Sequence, residues 1–197
     1  MSEITIEEGG FILINKPLRW TSFDVVKKLR NISRIKKIGH AGTLDPLATG
    51  LLIICYGKYT KKIESFQAQG KRYTGTYELG KTTPSFDLET EVDHEFSTEH
   101  ITPELIEDTL KQFRGDMEQV PPQHSAVRVN GRRAYEHARK GDIVELRKRA
   151  VHISECTVKT ENLPTLGFEI ACSKGTYIRS IARDLGQALD SGAYMSS

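Results

Sequence analysis

The spacing of apolar residues changes along the chain, and each change predicts an element. Residues 11–14 are an unbroken apolar run closed by Asn15-Lys16-Pro17, the pattern of a buried strand. Thr21 with Asp24 three residues later predicts a capping-box helix start, after which Val25, Leu29 and Ile32 share one face. Residues 39–50 are punctuated by Gly39, Gly42 and Gly50 and predict a loop, followed by an apolar strand over 51–56. A short helix is expected from about residue 60 to 67. Tyr73, Gly75, Tyr77 and Leu79 then alternate on one face of a strand. Thr102 before Pro103 opens a helix with Ile106, Leu110 and Phe113 inward, and Gly115 ends it.

Beyond Pro121-Pro122, residues 127–129 and the Asn130-Gly131 pair predict an exposed hairpin that leads to a short basic helix ending at Gly141. Leu166, Phe168, Ile170 and Cys172 alternate as a half-buried strand. After Lys174-Gly175 a last helix turns Ile178, Ile181, Leu185 and Leu189 inward. Strands and helices interleave irregularly, which predicts an α+β class with a mixed or antiparallel sheet and helices against it. No repeat, low-complexity segment or Ser/Gly linker interrupts the chain, so one domain is expected over residues 1–197. The longest apolar run, residues 51–56, is far short of the roughly 20 residues of a membrane span. The first ten residues are acidic and glycine-ended, unlike a signal peptide.

Composition adds a compartment and a partner. With 197 residues, 38% of them hydrophobic and 27% charged, the chain can bury a core without disulfides or metals. Cys55, Cys156 and Cys172 are far apart and sit in strand-like stretches, so they read as buried structural thiols in a reducing cytoplasm. The net charge is only +2, yet it is +7 over residues 1–81, −9 over 82–120 and +5 over 121–160. Two basic stretches around an acidic one fit a positive face for a polyanion; solvated surface explains them equally well.

Two constellations carry chemical potential. Residues 39–50, Gly-His-Ala-Gly-Thr-Leu-Asp-Pro-Leu-Ala-Thr-Gly, place Asp45 in a glycine-rich loop beside His40. Pro46 restricts its own backbone and that of Asp45. Such a carboxylate serves as nucleophile, base or metal ligand, or simply forms a turn. Residues 173–179, with Lys174, Tyr177 and Arg179, form a strand-to-helix junction that favours anions. Arg179 adjoins the buried helical stripe, where a guanidinium either enters a cleft or lies solvated. Tyr73 on an apolar strand face is compatible with plain core packing, and His40 with a structural hydrogen bond. No metal-ligand spacing, P-loop or dinucleotide fingerprint occurs, so cofactor-free and metal-free chemistry is expected.

The loop over 39–50 resembles the signature of the TruB family, bacterial tRNA pseudouridine-55 synthases. The resemblance continues through Asn15-Lys16-Pro17, Lys71-Arg72-Tyr73, Leu79-Gly80, Phe113-Arg114-Gly115, Pro121-Pro122 with Ser125-Ala126, Tyr135-Glu136 and residues 174–179, in family order. It implies the pseudouridine synthase fold, a mixed, largely antiparallel sheet flanked by helices. It also implies isomerisation of one uridine in the T loop of tRNA, without a cofactor.

By the same resemblance Asp45 is the nucleophile, Tyr73 stacks on the uracil and helps remove the C5 proton, and Arg179 pairs with Asp45. His40 fills the space of the displaced nucleotide, Lys16 and Pro17 support the cleft, and Tyr177 packs against it. Lys174 and the thumb arginines Arg132 and Arg133 complete the expected RNA contacts. The thumb is an insertion over about residues 120–150 that grips the T-stem-loop. Pro84-Ser85-Phe86 and His124 depart from the family pattern. The pattern normally continues beyond residue 197, so a chain shortened at its C-terminus, without the small RNA-binding module, is expected. A monomer is expected too. The competing readings are a non-catalytic tRNA-binding or tRNA-folding module, and a hydrolase using Asp45 on a glycosyl or phosphoryl group.

Overall fold

Gly10–Lys16 form the first strand, β1, in the computed structural model, which describes residues 9–197. The chain falls into two units, Met1–Gln69 and Gly70–Ser197, each with its own apolar cluster. No linker composition marks the boundary between them.

In the first unit β1 is followed by α1 (Ser22–Ser33), β2 (Ile38–His40), β3 (Gly50–Tyr56) and α2 (Ile63–Ala68), with a 3₁₀ segment Gly57–Lys62 before the last. The sheet order is β1-β3-β2, antiparallel throughout. The capping box forms as read: Asp24 N donates to Thr21 Oγ1 at 3.0 Å, and Thr21 N donates to Asp24 Oδ2 at 2.9 Å. Helix α1 packs Val25 and Val26 on Ile38, Leu52, Ile54 and Tyr56. Two details differ from the sequence reading. Ile32 is 68% exposed, because the apolar cluster takes up Leu29 and then Ile35 beyond the left-handed turn at Arg34. β1 is a sheet-edge strand with Phe11 49% and Leu13 57% exposed, since the cluster forms on the opposite face of the sheet.

The second unit runs β4 (Lys71–Leu79), β5 (Lys81–Thr82), β6 (His94–Glu95), α3 (Pro103–Leu110), β7 (Gly115–Gln119), β8 (Arg128–Val129), β9 (Arg132–Arg133), α4 (Ala134–Ala138), β10 (Arg149–Asn162), β11 (Thr165–Cys172), α5 (Ile178–Ala188) and β12 (Ala193–Met195). Its main sheet has the order β12-β4-β11-β10-β7. Every ladder is antiparallel; among the described residues the sole parallel pairing is the isolated bridge between Asp87 and Met195. Leu166, Phe168, Ile170 and Cys172 are buried in one cluster with Ile181 and Leu185 of α5, Leu189 just beyond it, and Ile106 and Leu110 of α3, as their spacing predicts. Gly75 faces Phe168 across the ladder, and a Cβ there would lie 2.7 Å from the ring. That space lets Phe168 stack on Tyr77 with centroids 4.2 Å apart. The Asn130-Gly131 turn joins β8 to β9, with φ of 50° and 82°, the positive values that this hairpin type requires. No described helix is long and apolar enough to cross a membrane.

Candidate functional site

Asp45 sits in the first unit between β2 and β3, and the backbone is tied down on both sides of it. On its N-terminal side, Leu44 N donates to Ser22 Oγ at 3.0 Å and the Ser22 hydroxyl faces Leu44 O at 3.3 Å. On its C-terminal side, Pro46 O accepts from Arg19 N at 2.7 Å and from the Lys16 ammonium at 3.3 Å. Ala48 N closes the turn on Asp45 O at 3.0 Å. Gly42 and Gly50, at φ near 114° and 113°, let the loop leave β2 and enter β3.

Lys16 is fully buried and also donates to Pro17 O at 2.9 Å and Trp20 O at 2.6 Å. Burial pushes its ammonium below the ordinary 10.5, while the negative charges of Asp45 and Asp24 oppose that shift. The amine is thus a structural pin and a cation whose field reaches the Asp45 carboxylate. His40, half-buried at the end of β2, places Nδ1 against Gly42 O and stiffens the same loop. Lys16 and His40 thus both hold the backbone of the loop that carries Asp45.

In the second unit Tyr73, Tyr177 and Arg179 are placed by the sheet and by the start of α5. Tyr73 lies on β4 opposite Ile170, partly buried against the core. Tyr177 is the residue before α5 and lacks a side-chain cap of its own. Gln119, 2% exposed at the end of β7, instead clasps its main chain: its Oε1 accepts from Tyr177 N at 2.8 Å and its Nε2 donates to Tyr177 O at 3.1 Å. The Tyr77 hydroxyl donates to Ile178 O at 3.1 Å, and Ser180 Oγ to Val120 O at 2.9 Å.

This collar aims Arg179, which is buried rather than solvated. Its guanidinium donates to Ser85 O at 2.9 Å and His124 O at 3.1 Å, and Nε lies 3.4 Å from Asp87 Oδ2. Ser85 and His124 thus bear on Arg179 through backbone carbonyls, which tolerate side-chain change. Lys174 is exposed in the turn before α5, and its charge reinforces the lowering of the Lys71 ammonium, which burial begins. Arg132 and Arg133 stand exposed on β9, where Arg133 approaches the Tyr135 ring at 6.0 Å. All three cysteines are free and buried. Among the described residues no cluster of His, Cys, Asp or Glu has the makings of a metal site.

Ser22, Gln119 and Asp87 are the residues that sequence reasoning missed. Each acts on a backbone atom or a charge distant in sequence. Only Ser22, beside the capping threonine, carried a local signal, and that signal pointed to helix capping.

Residues 30–178 match the family described as TruB family pseudouridylate synthase (N terminal domain). The tRNA pseudouridine synthase B of Flavobacterium johnsoniae is 53% identical over 196 residues, covering 96% of this chain and 86% of that protein. The enzyme of the same name from Phocaeicola vulgatus is 54% identical over 199 residues, covering 98% and 85%. Among solved structures, a Cbf5-Nop10-Gar1 complex matches 98% of this chain at 28% identity with a TM-score of 0.74. An H/ACA RNP bound to a substrate RNA containing 2′-deoxyuridine matches 97% at 25% identity with a TM-score of 0.68. This chain spans 48% and 46% of those two chains. The α+β architecture is accordingly that of the pseudouridine synthases. With a family match running from α1 to the start of α5 and relatives more than half identical, the chain belongs to the TruB family of pseudouridylate synthases.

Proposed function

We propose that the protein isomerises one uridine of tRNA to pseudouridine, at position 55 in the T loop, with Asp45 as the nucleophile. The observation that carries this reading is the two-sided clamp on the Asp45 loop, Ser22 on Leu44 and Lys16 with Arg19 N on Pro46. A carboxylate so held meets a substrate with little reorganisation, which is where a large share of enzymatic rate originates. The names of the relatives, tRNA pseudouridine synthase B, support the substrate and the reaction class.

The chemistry is redox-neutral. The N1–C1′ bond breaks, the C5–C1′ bond forms, one proton leaves C5 and one is taken up at N1. Asp45 adds to the nucleotide at ribose C1′ or at uracil C6, and either adduct frees the base to turn. Tyr73 offers an aromatic face to the uracil and a phenol for the C5 proton. Arg179 favours the ionised form of the nucleophile, as cations do for carboxylates. His40 fills the space the nucleotide vacates, and Tyr177 lines the site.

The base must leave its stack, at a cost of a few kcal/mol. Phosphate contacts from Lys174, Arg132, Arg133 and the basic stretch over residues 120–150 offset that cost and make binding salt-sensitive. The protein works as a monomer in the cytoplasm, a setting with which its three free, buried thiols agree.

The test is incubation with unmodified T-stem-loop RNA tritiated at uracil C5. Release of tritium by the wild type and its loss in Asp45→Asn is the expected result. RNA binding without release identifies a non-catalytic module instead, and liberation of free base identifies a hydrolase. Full release by Asp45→Asn removes Asp45 from the mechanism.

A further inference from the structure

The loop that leads into α1 has two sides. Its backbone secures the Asp45 loop: Arg19 N donates to Pro46 O at 2.7 Å, and Trp20 O accepts from the buried Lys16 ammonium at 2.6 Å. Apolar side chains of this loop and of the first turn of α1 are exposed. Leu18, Trp20 and Phe23 are 54%, 37% and 58% exposed, and Arg19 holds φ at 64°, a left-handed conformation usually left to glycine. Arg19, Trp20, Asp24, Lys27, Lys28 and Asn31 line an open concavity of about 350 Å³. Its one acid, Asp24, is engaged by the Thr21 backbone and hydroxyl in the capping box. Three cations therefore surround an exposed indole with one committed carboxylate among them.

We infer that this concavity is an RNA-binding track, in which an unstacked base lies on Trp20 and the neighbouring phosphates meet Arg19, Lys27 and Lys28. An aromatic platform with interleaved cations is the chemistry that binds single-stranded nucleic acid, each base offering a π-face and each phosphate a charge. A protein partner is the poorer fit, because lysine is depleted from the cores of protein interfaces. The place also fits: the track is built on the same backbone that holds Pro46, the neighbour of Asp45, so RNA presenting a base to Asp45 runs beside it. The inference rests on RNA being the substrate, and it adds a contact surface separate from the basic thumb.

Trp20 is the only tryptophan of the chain, so its emission reports this surface alone. Unmodified T-stem-loop RNA and full-length tRNA are each titrated into the wild-type protein, with filter retention measured in parallel. Quenching of Trp20 that saturates together with retention is expected. Trp20→Ala is expected to lose about tenfold in affinity and Trp20→Phe to keep most of it, since a phenyl ring still stacks. Lys27→Gln combined with Lys28→Gln, both exposed helix positions, is expected to lower affinity about tenfold and to reduce the slope of log affinity against log salt by roughly 1.5. Retention with unmoved emission, and variants with wild-type affinity and salt slope, overturn the track. Tritium release by the same wild-type preparation separates the two readings: release with unmoved Trp20 refutes the track alone, whereas quenching by RNA without release refutes the proposed activity alone. If the emission answers to another protein and not to RNA, the surface is a protein interface and the track is refuted.

Discussion

Asp87 and Arg179 form an ion pair that water barely reaches: Oδ2 lies 3.4 Å from Nε, with the two side chains 3% and 4% exposed. The second Asp87 oxygen accepts from Glu89 N at 2.9 Å, and the Thr83 and Ser85 hydroxyls both donate to Asp87 O. A small polar loop thus holds Asp87 by its main-chain carbonyl and by one carboxylate oxygen, and the other carboxylate oxygen faces the guanidinium through which the proposed chemistry runs. Breaking such a buried pair by removing one partner costs about 3–5 kcal/mol. Asp87→Asn is expected to lower unfolding free energy in urea by that order. Combined with Arg179→Met, which removes the other half of the pair, the loss is expected to be smaller than the sum of the two single losses. Strict additivity would show that the pair contributes no coupling.

Ser22 is the lever on Asp45, the proposed nucleophile, that activity measurements isolate best. Its hydroxyl holds both Leu44 N and Leu44 O, and the side chain is 2% exposed. Ser22→Ala leaves the Leu44 N–H and carbonyl without that partner, an expected loss of roughly 1–3 kcal/mol in stability. Because the hydroxyl positions Asp45 without touching RNA, kcat is expected to fall roughly ten- to a hundredfold with KM nearly unchanged. A rise in KM at constant kcat would show that the clamp serves binding instead.

The Lys16 ammonium supplies a pH test of the same loop. Its value is lowered by burial and held up in part by Asp45, so Asp45→Asn is expected to lower it further. The sign for stability follows from proton counts. Between the folded value and the ordinary 10.5 the unfolded chain binds more protons, so stability rises with pH across that window and levels off above it. In Asp45→Asn the rise is expected to begin at lower pH. Side-chain NMR of ¹⁵N-labelled lysine reads the value directly. A value unchanged by the substitution would show that the Asp45 charge does not act on Lys16.

The elements that were legible in the sequence carry their signals locally. The Thr21–Asp24 box, Thr102-Pro103, Asn130-Gly131 and the alternation from Leu166 to Cys172 each specify an element within a few residues, and each element is present. β10 is the longest strand, yet its pattern is broken by a register shift between Ile153 and Glu155 that puts its inward residues out of step. β7 and β12 are short and are defined by their neighbours in the sheet. Periodicity also says which residues are apolar and not how much protein covers them, which is why Ile32 and β1 lie more open than expected. The Asp45 loop was readable because glycines and an Asp-Pro pair mark it in one stretch of chain. Ser22, Asp87 and Gln119 were not, because each meets its partner at a sequence separation of 22 residues or more.

Gln119 is the analogous lever on the second unit. α5 begins at Ile178 without a side-chain cap, and the Gln119 amide fixes the residue before it from β7 by accepting from Tyr177 N and donating to Tyr177 O. Gln119→Ala leaves both groups without those bonds and is expected to destabilise the protein by roughly 2 kcal/mol, about twice a typical single hydrogen bond. The start of α5 carries Arg179, so kcat is expected to fall as well. Q119E sharpens the test. At neutral pH its carboxylate still accepts from Tyr177 N, beside the favourable positive end of α5, but it meets the Tyr177 carbonyl with no donor. Protonation restores that donor, and burial raises the pH at which it occurs. Relative to the wild type, Q119E is therefore expected to be destabilised near pH 7 and to recover as the solution is acidified toward pH 5, read as the difference in urea midpoint. A deficit that stays constant across that range would show that the amide acts through packing rather than through its hydrogen bonds.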